Sequence, residues 1–273
     1  LRDNILVELV GSYCEILHTR QDYEMAKAFI KEISKFKRRE KKKEFEINLV
    51  TKDNMDLDLK PMDIKKTNLK LDLFYEDNFL PVHKTILERL NKKNDKGIVL
   101  LHGLPGTGKT TYIRYLIGRL KKKVLLLSPT VARDIMCSEF MELLIDNPNS
   151  ILIIEDAENI ITDRRINNDS SISNLLNISD GLLSDFLNVQ IICTFNHPLS
   201  LVDAALMRKG RLIAKYEFGK LSTGKAQILS KHLGFDTVIH GPMTIAEITN
   251  HHEKEYATDR VEVIGFRRTL LEN

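Results

Sequence analysis

The residues Gly103-Leu104-Pro105-Gly106-Thr107-Gly108-Lys109-Thr110 fit the pattern G-x-x-x-x-G-K-[ST] at every fixed position. The chemistry this spacing serves is phosphate binding. Glycines let the backbone wrap closely around an anion. Backbone amides then point at it from the start of a helix, where the dipole favours negative charge. Gly103, Pro105, Gly106, Thr107, Gly108, Lys109, Thr110 and Thr111 are therefore the expected nucleotide cradle. Lys109 would reach the β- and γ-phosphates, and the Thr110 hydroxyl would ligate Mg²⁺.

Three further groups could complete a reaction at that cradle. The apolar run Ile151 to Ile154 ends in Glu155-Asp156. Two adjacent acids at a buried strand tip call for a cation, and an NTPase holds Mg²⁺ and orients its attacking water at such a place. The expected division gives Glu155 the metal shell and Asp156 the water. The rival puts Asp156 on the metal with Glu158 behind it. Ile191-Ile192-Cys193 runs into Thr194-Phe195-Asn196, whose amide could meet the γ-phosphate or the water. Arg208 and Arg211, three residues apart, could stabilise charge developing on a transferred phosphoryl group.

The elements that must position these groups alternate between strand and helix. Gly97 to Leu101 and Val124 to Leu127 read as buried parallel strands, as do Ile151 to Ile154 and Val189 to Cys193. Helices are expected after the phosphate loop (Tyr112, Ile113, Leu116, Leu120), from Ser128-Pro129 through Leu144, and over residues 172–183. Asp163 to Ser171 reads as a polar loop. Before the first of these strands, Val82, Ile86, Leu87 and Leu90 mark a helix. After Gly219, a helix over residues 221–233 is capped by Ser222 or Thr223 and stopped by Gly234, and Thr244 with Glu247 opens another as a capping box.

The first 74 residues read as a separate α+β unit. Ile5, Leu9, Tyr13, Ile16 and Leu17 fall at helical spacing, and a second stripe from Ala26 to Phe36 follows Asp22. The alternating runs at residues 55–60 and 69–73 read as half-buried strands. The basic run over residues 35–43 reads as a solvated helix end. The resulting division is an N-terminal domain over 1–74, a nucleotide-binding domain over 75–220 and a helical lid over 221–273.

Taken together these residues resemble the AAA+ ATPases, and within them the AAA clade proper. The likeness covers about residues 97 to 220. Asn196 matches the sensor asparagine, and Thr194 to Arg211 matches the second region of homology, with Arg208 and Arg211 at the arginine-finger positions. The resemblance implies an α/β P-loop fold, a parallel sheet sandwiched by helices with a C-terminal lid. It also implies ATP and Mg²⁺ as cofactors and a homo-oligomeric ring, commonly a hexamer, whose arginines serve the neighbour's nucleotide. The acid pair reads Glu-Asp where most of the family reads Asp-Glu, and no aromatic-hydrophobic-glycine pore loop lies between Ser128 and Glu139. Both departures, with Leu175 to Gly181, are similar to the subgroup of the mitochondrial translocase that inserts the Rieske protein into the cytochrome bc complex.

Composition narrows the setting. The 273 residues carry 41 basic and 38 acidic side chains, a net +3 that is too balanced to argue nucleic-acid binding. Three scattered cysteines (Cys14, Cys137, Cys193) fit a reducing, cytoplasmic compartment better than a disulfide or zinc framework. His240, His251 and His252 lack ligand spacing. No apolar run approaches the ~20 residues that span a bilayer, so no membrane segment is expected. The expected function is an ATP-driven remodeller of a protein substrate. Two alternatives stand beside it: a nucleic-acid-dependent loader working through residues 35–43, and a P-loop kinase, which has no need of the 194–211 segment.

Overall fold

Two strands open the chain where a helix was expected. In a computed structural model describing residues 4–10, 13–36, 44–53, 56–162 and 171–253, Ile5–Val10 (β1) pairs antiparallel with Tyr13–His18 (β2), Leu6 opposite Leu17 and Val7 opposite Ile16. The stripe at residues 5, 9, 13, 16 and 17 also fits two short apolar strands around Gly11-Ser12, and the β-branched residues Ile5, Val7 and Val10 favour the strand. The second stripe is helical as expected, over Tyr23–Ile33 (α1). Residues 37–43 lie outside the described residues, as do 163–170 and Arg267 and Arg268.

The rest forms one unit. Residues 1–42 and 43–273 separate as compact units, so the division falls well before residue 74. The reason lies in the sheet. Glu46–Asp53 (β3) was not anticipated, and Asp56–Asp63 (β4) turns back along it with Asn48 opposite Pro61. β3 then pairs in parallel with a strand of the nucleotide domain. The expected strand at 69–73 is instead one helical turn, Leu71–Phe74 (α2). The Tyr75 amide donates to the Leu71 carbonyl (3.0 Å), a helical i to i+4 bond that closes this turn.

In chain order there follow Phe79–Asn91 (α3), Gly97–Gly103 (β5), Lys109–Ile117 (α4), Val124–Leu127 (β6), Pro129–Arg133 (α5) and Ser138–Asp146 (α6). Next come Ile151–Ile154 (β7), Glu158–Ile161 (α7), Ser171–Asp180 (α8), Ser184–Leu187 (α9) and Gln190–Phe195 (β8). Leu212–Phe218 (β9), a strand the sequence reading passed over, precedes Thr223–His232 (α10) and Ile245–Thr249 (α11). The sheet order is β4-β3-β6-β7-β8-β5-β9, parallel throughout except for β4.

Alternation along the strands divides the core in two. Ile98, Leu100, Leu152, Ile154 and Ile191 pack with Phe140 of α6 and Leu175 of α8. Val99, Leu101, Ile153 and Ile192 face the other way, onto Phe79 and Ile86 of α3 and Tyr112 and Leu116 of α4. The sheet is therefore covered on both faces, the setting that parallel strands require. β5 has β8 on one side and β9 on the other, so the phosphate loop leaves the sheet at its carboxyl end beside a topological switch.

Candidate active site

The phosphate loop links β5 to α4. Gly106 and Gly108 have φ of 75° and 88°, a region closed to most side chains. They are also crowded. A Cβ on Gly106 would stand 2.8 Å from the Ala246 Cβ, and one on Gly108 would stand 2.8 Å from Ile245 Cδ1 and 3.1 Å from the Tyr75 hydroxyl. Two separate stretches, the segment at Tyr75 and helix α11, thus converge on the loop. Tyr75 donates its hydroxyl to the Gly108 carbonyl (2.9 Å), and the Ala246 amide of α11 donates to the Gly106 carbonyl (2.9 Å). The Thr107 hydroxyl closes the loop internally on the Leu104 carbonyl (2.7 Å). Pro105 and Thr110 are exposed, and Thr111 is half-buried.

Lys109, the first residue of α4, donates to the Gly103 and Leu104 carbonyls at 2.8 and 2.9 Å. Burial lowers its pKa, while the charges of Asp156 and Glu158 pull it back up. Both acids therefore act on the ammonium group from the tip of β7. Alternation puts Ile153 on the α4 face, and Glu155 is next in that series. One Glu155 carboxylate oxygen, Oε1, is buried without a hydrogen-bond partner. Asp156 is exposed and takes φ of 52°, which turns the chain sharply out of the strand. Ala157, fully buried, then donates its amide to the Thr194 carbonyl (2.9 Å), tying this turn to the end of β8. There Glu158 Oε1 accepts from both the backbone amide (2.8 Å) and Nδ2 (3.1 Å) of Asn196.

These residues fit Mg²⁺-ATP. A buried carboxylate oxygen lacking a partner costs free energy that a cation would recover. The exposed Thr110 hydroxyl is a second oxygen donor, and among the described residues it has no partner. The ammonium group of Lys109 rests on carbonyls of its own loop, a weaker match than phosphate oxygens.

The two arginines are not brought to this cradle. The Arg211 carbonyl accepts from Ile98 at the amino end of β5 (2.8 Å), and the loop leaves the carboxyl end at Gly103. Five residue steps of strand separate Ile98 from Gly103, roughly 17 Å at about 3.3 Å per residue. The preceding segment forms two short 3₁₀ turns, Leu199–Leu201 and Ala204–Met207. The two arginines also differ from each other. Arg211, 19% exposed, pairs with Asp180 at the end of α8 (Nε to Oδ2, 2.7 Å) and donates to the Ala205 carbonyl (3.1 Å). Arg208 is exposed, and no partner holds its guanidinium among the described residues.

The lid closes on the segment before α3. Ser222 makes no side-chain cap at the start of α10; its amide instead donates to the Glu76 carboxylate (2.6 Å), and Lys225 pairs with Asp77 (2.7 Å). The capping box of Thr244 and Glu247 forms as expected. Residues 74–81 carried no readable assignment, and neither Tyr75 nor Glu76 belongs to a motif. Their roles follow from contacts 33 and 146 residues away in sequence. Among the described residues no group of histidine, cysteine or carboxylate side chains could hold a metal ion by itself, and the three cysteines are free thiols. No helix among the described residues is long and apolar enough to cross a membrane.

His102, directly before the loop, gives the site a pH signature. It is buried, it stacks on Phe195 (5.4 Å between ring centroids, 13° between planes), and its Nδ1 has no partner. Burial lowers its pKa below 6.5; Glu217 opposes the shift, and Lys109 and Lys215 add to it. The unfolded chain therefore binds the extra proton first, and stability falls as pH drops below 6.5. His83, lowered by burial and Arg119, adds a slope of the same sign. In thermal melts His102→Phe, which keeps the ring but not the proton, is expected to flatten the acid limb; an unchanged limb would remove His102 as a source.

Comparison with known proteins bears on the same stretch. Residues 99–220 match the family described as "ATPase family associated with various cellular activities (AAA)". Among curated relatives, "Probable mitochondrial chaperone BCS1-A" of Dictyostelium discoideum is 27% identical over 175 residues, covering 60% of this chain and 41% of that protein. An AAA-ATPase of Arabidopsis thaliana is 34% identical over 171 residues, 58% of this chain and 34% of its own length. "Probable mitochondrial chaperone bcs1" of Schizosaccharomyces pombe is 31% identical over 128 residues, 44% and 28% respectively. The chain thus spans less than half the length of these relatives. The phosphate loop on a parallel sheet, the acids and asparagine at neighbouring strand tips, and this match together assign residues 99–220 to the AAA family of ATPases.

Proposed function

We propose that this chain is the ATP-hydrolysing part of a ring-forming motor that remodels a protein substrate. In this reading Lys109 holds the β- and γ-phosphates. Thr110 and Glu155 would hold Mg²⁺, which would supply positive charge to offset the charge developing on the phosphoryl group. Asp156 and Asn196 orient the attacking water. Arg208 and Arg211 belong to the site of an adjacent subunit. The observation that carries the ring is the placement of the Arg211 backbone at the amino end of β5, roughly 17 Å along the strand from the phosphate loop, together with the exposure of Arg208. A charge-stabilising arginine must touch the phosphoryl group, so in this reading the two serve the nucleotide of an adjacent chain.

A protein substrate is supported by the chaperone names of two relatives. The segment from Ser128 to Phe140, where a threading motor carries its aromatic grip, is folded into α5 and the start of α6 with Ala132, Ile135 and Phe140 buried. Any grip on substrate comes from elsewhere.

The test is Mg-ATP turnover per chain as a function of protein concentration. Turnover that rises and then plateaus is expected, because each site is completed by a second subunit. Constant turnover on a chain shown to be monomeric would overturn the ring and the remodeller with it.

A further inference from the structure

One carboxylate near the phosphate loop entered the expected site only as a rival second acid behind Asp156. Glu158 lies two residues beyond the Glu155-Asp156 pair, on the single turn of α7. Asp156 at φ 52° and the Ala157–Thr194 bond bend the chain so that Glu158 reaches the end of the neighbouring strand rather than following its own. One oxygen, Oε1, accepts from both the backbone and side-chain nitrogens of Asn196. The charge of the same carboxylate acts on Lys109 of the phosphate loop and raises its pKa.

The chemistry of this contact fixes the asparagine. A carboxylate can only accept hydrogen bonds, so the nitrogen end of the Asn196 amide must face Glu158 and the oxygen end must face away. Phosphate oxygens are also acceptors. An amide held this way offers its oxygen to the hydrogens of a water molecule. The sequence left open whether Asn196 meets the γ-phosphate or the water; the contact with Glu158 selects the water.

We propose that Glu158 is a positioning residue for ATP hydrolysis: it holds the Asn196 amide so that Oδ1 aligns the attacking water. The proposal rests on the ATPase reading above. It does not make Glu158 a proton acceptor, and this distinction can be tested. Glutamine keeps a carbonyl oxygen able to accept from both Asn196 nitrogens, but it cannot take a proton from water. Alanine keeps neither ability.

The experiment measures kcat, KM and ATP binding for Glu158→Gln, Glu158→Ala, Asn196→Ala and the double variant Glu158→Ala/Asn196→Ala, beside the unaltered chain. Misplacing a water-orienting group by about 1 Å costs on the order of 10²-fold in rate. Glu158→Ala is therefore expected to lower kcat by about that factor with ATP binding retained, and Glu158→Gln to recover most of it. The double variant is expected to be no slower than Asn196→Ala, because the two residues act as one unit. Equal losses for glutamine and alanine would make Glu158 a base and overturn the proposal. Multiplicative losses in the double variant would overturn it too, and so would a loss of ATP binding that matches the loss of kcat. An unaltered chain without ATPase activity, as oligomer and monomer alike, would instead overturn the ATPase reading on which the proposal stands.

Discussion

Arg208→Ala is expected to abolish ATP hydrolysis while leaving ATP binding at the level of the unaltered chain. Arginines supplied in trans contribute about 10³-fold or more to phosphoryl transfer. Arg208 suits that task because its guanidinium is exposed and held by no partner among the described residues. Arg211 differs, since the Asp180 carboxylate and the Ala205 carbonyl already hold it. Arg211→Ala should therefore lower thermal stability as well as turnover, and Arg208→Ala should lower turnover alone. The decisive measurement mixes two inactive preparations. Lys109→Ala chains lack a working cradle but keep Arg208; Arg208→Ala chains keep the cradle and lack the finger. If sites form between chains, mixing restores part of the activity. Mixtures that stay inactive, while still co-assembling, would remove Arg208 from the neighbour's site.

The second large effect separates the two acids of β7. Asp156→Asn should bind Mg-ATP as the unaltered chain does and lose turnover by about 10²- to 10⁴-fold, the range for removing a group that activates water. Glu155→Gln should behave differently before any nucleotide is added. It removes a negative charge beside a buried oxygen that has no partner, so the nucleotide-free chain should melt at a higher temperature. It should also need more Mg²⁺ for the same turnover, and Mg-ATP should raise its melting temperature by less. If Asp156→Asn shows the metal phenotype and Glu155→Gln does not, the roles are reversed and the rival with Asp156 on the metal holds.

What was legible in the sequence was whatever depends on near neighbours. The phosphate loop is eight consecutive residues with one conformational purpose, and the Glu155-Asp156 pair follows directly from the strand that delivers it. The hairpin of β1 and β2 was misread because five apolar residues at helical spacing fit two short strands equally well, and periodicity cannot separate the two at that length. β3 was missed because Asn48 interrupts its apolar run, yet Asn48 is buried and its amide donates to the Val124 carbonyl (3.3 Å), a bond from another strand 76 residues away. β9 was missed because Lys215 and Glu217 break the apolar run expected of a buried parallel strand. Glu158 could be recognised as an acid but not as the partner of Asn196, since that contact depends on a left-handed turn and joins residues 38 apart. The cradle thus reads from local pattern, and the groups that hold the cradle's helpers in place read only from tertiary contact.

The outermost strand of the sheet has a consequence for how chains meet. β4, one of the two edge strands, carries Asp58, Lys60, Pro61 and Asp63, and among the described residues it is paired on one side. Charges discourage a second chain from docking along that border, and proline has no amide hydrogen to offer it. Such a margin resists amyloid-like stacking of one molecule's sheet onto another's. Pro61→Val is accordingly the substitution expected to favour edge-to-edge association through β4.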